Sequence, residues 1–223
     1  MTAKTHSPPD LLAGERLPPK PRQRRSLAKR ARLESAAMAL FRERGYDGTS
    51  IDAIARRARL AVGGFYQHFR SKRQLLIALM HQLVERIGRL ELAPIRGRDA
   101  HAELHELIAR AFASDFEYLG AYRAWQEAAL SDPELAKKDR AIRDWTRARL
   151  VALFDALQRL PNARRGVDVT PLAHAMDAFF WTMIADAARS PDLELDAAVG
   201  AATHLIYHAL FVDAPARARH ETG

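Results

Sequence analysis

Residues 36–72 read AAMALFRERGYDGTSIDAIARRARLAVGGFYQHFRSK, from Ala36 to Lys72, and the spacing of apolar and breaking residues here decides the fold of the N-terminal part. Leu33, Ala37, Leu40 and Phe41 recur at i, i+4, i+7 and i+8, one face of a helix that begins at Leu27. Gly45 stops it, as a glycine just past the last turn does. Thr49 or Ser50 caps a second helix with Ile51, Ile54 and Ala55 on one face, and after a break at Arg59 and Leu60 a third short helix covers about 61–69. Ser71-Lys72-Arg73-Gln74 fits the capping box of a fourth helix, whose apolar stripe is Leu75, Leu76, Leu79, Leu83 and Ile87.

These helices sit inside a basic head. Positions 1–75 hold 17 Lys and Arg against 6 Asp and Glu, whereas the remainder holds 18 against 21, so the net +8 of this 223-residue chain is an N-terminal property. Such asymmetry points to a polyanion-binding part joined to a part with another task. Residues 1–26 carry five of the 11 prolines and no sustained apolar period, and read as a flexible basic arm. From Lys20 to Arg32 the chain has Lys20, Arg22, Arg24, Arg25, Lys29, Arg30 and Arg32 with no acid among them. That run suits phosphates better than it suits a merely solubilising tail, because it abuts the short helices.

Beyond Pro94 the strong signals are all helical, near 99–119, 121–130, 132–160, 170–189 and 192–212. Ser131-Asp132-Pro133-Glu134, Thr170-Pro171 and Ser190-Pro191 are start signals. No segment alternates as a strand and no repeat is present, so the fold class is all-α. The absence of cysteine excludes disulfides, thiolate zinc sites, iron–sulfur clusters and cysteine nucleophiles. Met1 to Asp10 is polar, with no apolar leader, and the longest stretch free of Asp, Glu, Lys and Arg, Ala197 to Val212, is too short to span a bilayer. A cytoplasmic, nucleoid-associated location without membrane contact is the expectation. There is no GxSxG, P-loop or GxGxxG following a strand, so no enzyme is expected.

Two short helices joined by a tight turn and backed by a longer one form a helix-turn-helix arrangement, whose second short helix enters a DNA major groove. Three strings carry more than that spacing: Ala36-Ala37-Met38-Ala39-Leu40-Phe41-Arg42-Glu43-Arg44-Gly45-Tyr46; Thr49-Ser50-Ile51 with Ile54-Ala55; and Gly63-Gly64-Phe65-Tyr66-Gln67-His68-Phe69-Arg70-Ser71-Lys72. They resemble the N-terminal domain of the TetR family of transcriptional regulators, over about residues 32–79. The resemblance implies an N-terminal three-helix helix-turn-helix DNA-binding domain at 27–71, after the arm of 1–26. A C-terminal helical ligand-binding and dimerisation domain at 72–213 and a tail at 214–223 would complete the chain. It further implies a homodimeric repressor, released from a palindromic operator in double-stranded DNA by a small-molecule effector, with no cofactor.

Arg24, Arg25, Arg30 and Arg59 are then candidates for phosphate contact. Thr49 or Ser50 would offer a hydroxyl at a helix N-terminus, where the dipole favours an anion. Tyr66, His68 and Lys72 would also contact the DNA backbone, which positions the protein without reading bases. Base reading would fall to Val62, Gly64, Tyr66 and Gln67, with Gln67 able to pair twice with adenine, while Gly63 beside Gly64 permits close backbone approach. Phe65 and Phe69 would face inward onto Phe41 and Ile54. Three positions depart from the family's habit. Arg59 stands where a glycine is usual, and a positive φ there costs on the order of 1 kcal/mol. Ala61 stands where Ser or Thr caps the reading helix, forgoing about 1 kcal/mol. Gly63-Gly64 removes a side chain from the reading face. The basic arm is therefore expected to supply an unusually large share of affinity, and a sequence-indifferent nucleoid-type DNA-binding protein is the alternative.

In the body, Ala178 to Ile184 is apolar on nearly all sides, and Leu205, Ile206, Ala209 and Leu210 extend it, so a homodimer through about 170–212 is expected. Candidate effector contacts are Met80, Phe112, Phe116, Tyr122, Trp125, Trp145, Phe180 and Trp181, although aromatics at helical spacing serve cores more often than ligands. No basic residue is an obvious counter-charge, which favours a hydrophobic or aromatic effector. His101 with His105, and His204 with His208, are i, i+4 pairs. Lacking a cysteine or fixed acid partner, they read as exposed or core histidines, and no metal is expected.

Overall fold

The computed structural model describes residues 7–19, 23–90, 99–189 and 195–212. Among them are nine helices: α1 (Arg24–Arg44), α2 (Ile51–Arg57), α3 (Val62–Tyr66), α4 (Lys72–Gly88), α5 (Ala100–Phe116), α6 (Leu119–Ser131), α7 (Pro133–Leu157), α8 (Val169–Arg189) and α9 (Leu195–Leu210). No strand accompanies them, only an isolated antiparallel bridge between Ala163 and Phe211. Lys20, Arg22, the Ser190-Pro191 start signal and the tail at 214–223 lie outside the described residues.

The head is built as its apolar period requires. Leu33, Ala36, Ala37, Leu40 and Phe41 form the buried stripe of α1. Gly45 ends it at φ 71°, with its N–H donating to the Phe41 carbonyl at 2.9 Å. Ser50 caps α2 by accepting from the Ala53 N–H at 3.1 Å. The following turn contains Arg59 at φ 55°, the strained conformation in which a glycine costs nothing. Expected over about 61–69, α3 is instead five residues long; a turn in which the His68 and Phe69 N–H groups both donate to the Phe65 carbonyl ends it, and leaves Phe65 and Phe69 buried together. Ser71 opens α4 by accepting from the Gln74 N–H, and the Gln74 side chain reaches back to the Arg70 N–H.

From there α4 runs out of the head into the body, packing on α5 and α6. Asp132, rather than Ser131, caps α7, accepting from the Glu134 and Leu135 N–H groups at 3.0 and 3.1 Å with Pro133 in the first turn. Asp168 accepts from the Thr170 N–H where α8 begins. The body stacks α5 on α9, and α8 on α6 and α7.

Residues 7–19 correct the expectation of a flexible arm. Leu11 is fully buried, with Leu12 and Leu17 packed on the same core. Lys138 on α7 donates to the carbonyls of Leu11 and Ala13 at 2.6 and 3.3 Å, and Pro8 lies against Gly88. Arg73 on α4 bridges Glu15 at 3.0 Å and Asp132 at 2.5 Å. Three leucines without a helical period are enough to dock a short segment, and periodicity does not register them.

Candidate DNA-reading head and effector cavity

The residues expected to read bases share a surface. Val62, Gly63, Tyr66 and Gln67 are exposed on α3 and Gly64 is half-exposed, while Phe65, on the opposite side, is buried with Phe69, Phe41 and Ile54. Ala61 makes no capping bond, so the first N–H groups of α3 are left to other acceptors. A side chain at Gly63 would meet nothing within 4 Å, and one at Gly64 would only touch Leu60. Arg24, Arg25 and Arg59 are exposed, and the Ser50 hydroxyl, on an exposed residue, keeps its proton free to donate.

Four other candidates point inward. Thr49 is 1% exposed and its hydroxyl donates to the Gly45 carbonyl at 2.8 Å, so it closes the C-terminus of α1. Arg30 pairs with Glu34 at 2.9 Å and stacks over the Phe69 ring. The Lys72 ammonium donates to the Tyr46 carbonyl at 2.6 Å and lies 4.1 Å from the centre of the Tyr46 ring. Burial pulls Lys72 below the ordinary lysine range, against the opposing pull of Asp47 and Glu127. His68 is buried, and among the described residues neither ring nitrogen has a hydrogen-bond partner. Burial, with Arg30 and Lys29 nearby, lowers its affinity for a proton. The resemblance implies a contact with the DNA backbone for all four; spacing along a chain does not show which polar groups the core absorbs.

The head is seated on α6. A Cβ at Gly120 would lie 1.9 Å from the Met38 carbonyl oxygen, so α1 and α6 touch backbone to backbone. One turn on, Arg123 donates to the Arg42 carbonyl at 2.7 Å, and Glu127 accepts from the Tyr46 N–H at 2.5 Å. The opposite face of α6 presents Tyr122, edge-on to Trp181 at 5.0 Å.

Tyr122 and Trp181 belong to the wall of a cavity of about 150 Å³ between α4 and the body helices. Phe112 and Phe180, also expected there, line it, together with Leu104, Leu107, Ile108 and Leu153. Met80, Phe116, Trp125 and Trp145 do not. Met80 is wholly inside the core, Trp125 is buried and donates to Asp139, and Phe116 packs edgewise on Phe112 outside the wall. Trp145 stands behind Arg149, whose guanidinium is 5.1 Å from its ring centre. Two charged wall residues escaped the sequence reading, Arg149 and Asp177. Arg149 falls in the apolar row Ile142, Trp145, Arg149, Leu153, and Asp177 in the row Ala173, Asp177, Trp181, Ile184. A charge at an apolar position of a helical period was the signal.

On the exposed side of α9, His204 and His208 stand 4.3 Å apart, and His101 packs against Tyr207. Among the described residues no three His, Asp or Glu side chains group as a metal site, and no helix is long and apolar enough to cross a membrane.

Residues 33–79 match the family described as bacterial regulatory proteins, tetR family. The Transposon Tn10 TetC protein of Escherichia coli is 46% identical over 50 residues, 22% of this chain and 25% of that one. The HTH-type transcriptional repressor KstR of Mycolicibacterium smegmatis is 30% identical over 83 residues, 37% of this chain and 41% of its own. The matched segments thus span a quarter to two-fifths of these curated relatives. Among solved structures, the complex of SmeT, from Stenotrophomonas maltophilia, with triclosan superposes with a TM-score of 0.64 at 21% identity, covering 83% of this chain and 93% of that one. Residues 33–79 thus carry the sequence of the tetR family's head, and the chain as a whole shares the all-helical fold of SmeT.

Proposed function

We propose that the protein is a homodimeric repressor that reads a palindromic operator with α3 and leaves it when a small apolar or aromatic molecule enters the cavity. The observation that carries the reading is the division of α3: Val62, Gly63, Tyr66 and Gln67 lie open on one side while Phe65 and Phe69 fasten the other. A short helix held from behind and open in front, preceded by the exposed Arg59 in a head that also exposes Arg24 and Arg25, has the form of a major-groove reader. The cavity supports the second half. Its wall includes Ile87 of α4 and Tyr122 of α6, the two helices that touch the head, so occupancy bears on both connections. KstR is a transcriptional repressor by name, and SmeT has been seen with triclosan, an aromatic molecule.

For the dimer, α8 leaves Ala178 and Thr182 exposed with Phe179 and Met183 half-exposed, and α9 leaves Ala201, His204, Leu205 and His208 exposed. Ile206 and Leu210, expected on the same surface, are buried in the chain's own core. Two copies facing through α8 and α9 would set two reading helices at the half-sites of a palindrome.

Selection from a random duplex library, followed by anisotropy titration of the winner and a scrambled duplex across salt concentrations, tests this reading. The expected result is a palindrome bound ~10³-fold or more above scrambled DNA. Equal affinities with equally steep salt slopes would instead establish a sequence-indifferent, nucleoid-type protein.

A further inference from the structure

Among the wall residues of the cavity, Arg149 is out of place. Its residue is only 9% exposed, and among the described residues no carboxylate lies within ion-pair distance of it. Its Nη2 donates to the carbonyls of Ile87 and Leu90, at 3.2 and 3.0 Å, where α4 ends. A guanidinium has five N–H donors, and those on Nε and Nη1 have no acceptor among the described residues. A buried cation is costly unless something balances it, and among the described residues two carbonyl dipoles and the Trp145 ring are what faces it. Burial accordingly weakens its hold on the proton.

The other charge in the wall is already answered. Asp177 accepts from the Thr146 hydroxyl at 2.7 Å, the Trp181 indole at 3.1 Å and Arg147 at 3.1 Å. Its negative charge is matched by Arg147, so the uncompensated charge of the wall is positive. Everything else is almost wholly apolar, and a cavity of about 150 Å³ has the size that elsewhere admits a single benzene ring.

Resting on the effector reading above, we propose that the ligand of this cavity is a small amphiphilic carboxylate. One aromatic ring or a short acyl chain lies among Leu104, Ile108, Phe112 and Phe180, and the carboxylate is forked on Arg149. A monoanion leaves the buried site neutral, and a planar carboxylate matches the two-pronged donor geometry of a guanidinium. Because the same guanidinium holds the Ile87 carbonyl in the last turn of α4 and the Leu90 carbonyl just beyond it, capture of the carboxylate also draws on the helix that leads back to the head.

The test is calorimetric titration of the full-length protein with 3-phenylpropanoate and with its neutral counterpart 3-phenylpropanol, repeated on Arg149→Gln and Arg149→Lys, with anisotropy on the selected duplex in parallel. The expected result is at least tenfold tighter binding of the carboxylate than of the alcohol, lost in Arg149→Gln and partly kept in Arg149→Lys. The comparison on the wild-type chain stands even if Arg149→Gln fails to fold. If the alcohol binds as tightly as the carboxylate and releases DNA, the charge assignment is overturned while the effector cavity stands. If Arg149→Gln is folded and binds the carboxylate like wild type, the assignment is overturned as well. If neither probe binds at millimolar concentration, the inference and the effector reading fall together.

Discussion

His68 is the residue at which the head's chemistry and its stability meet. Its ring is buried with both nitrogens unpartnered, and burial, aided by Arg30 and Lys29, depresses its folded-state pKa. As pH falls, the unfolded chain takes up the proton first, at about 6.5. The neutral ring therefore contributes stability above that pH which is lost progressively below it, until the folded state is protonated too. In His68→Leu this part of the acid sensitivity disappears whatever constant offset the substitution brings. The gap in melting temperature between variant and wild type should widen in the variant's favour between pH of about 8 and about 5; parallel profiles would show the ring to be hydrated in solution. Gly63 offers a second, sharper test. A side chain there meets nothing, so Gly63→Ala should stabilise α3 by roughly 0.5–1 kcal/mol. If the backbone at Gly63 approaches bases, the same change should cost at least tenfold in operator affinity. A stability gain with unchanged affinity would move the reading surface away from α3.

Elements were legible wherever an apolar period and a cap agreed. Leu33 to Phe41 with Gly45, Ser50 with Ile54, and Ser71 with Gln74 each state both a face and a boundary, and the structure has helices at these places. What the chain does not display is which polar side chains are spent inside. Thr49, His68 and Lys72 look alike on paper to Ser50 and Gln67, yet Thr49 is bonded to the Gly45 carbonyl, Lys72 to the Tyr46 carbonyl, and His68 is buried. The union of head and body at α6 was equally silent, since Gly120 reads only as the break between the helices expected at 99–119 and 121–130, whereas it lies inside α6 and its role appears only when α1 crosses it. At this contact Gly120→Ala would drive a methyl into the Met38 carbonyl, and overpacking of this kind costs typically about 1–3 kcal/mol. Urea unfolding should show that loss, and operator affinity should fall with it because Arg123 and Glu127 no longer reach the end of α1 together. Wild-type stability in this variant would mean that the two helices are not in backbone contact.

For the whole molecule, the N-terminal segment decides whether the basic head ends in a free arm or in a tether. Residues 7–19 bind where α4 leaves the head: Leu11 fills the core, Lys138 holds its carbonyl from α7, and Arg73 joins Glu15 to the Asp132 cap. The side-chain hydrogen bond from Arg73 holds the Asp132 carboxyl below the ordinary aspartate range, so the junction stays charged at neutral pH. The segment expected to be a flexible, DNA-binding arm thus divides into two parts. Packing belongs to 7–19, and the phosphate contact proposed for the head falls to Arg24 and Arg25 at the exposed start of α1. Leu11→Ala should therefore lower stability by about 2–3 kcal/mol in urea while leaving the salt dependence of operator binding unchanged. The pair Arg24→Ala with Arg25→Ala should do the reverse, leaving the melting temperature in place and reducing the slope of log affinity against log salt by about 2. If removal of residues 1–19 weakened DNA binding without touching stability, the segment would be an arm after all, and its docking on α4 and α7 would have no part in holding the head to the body.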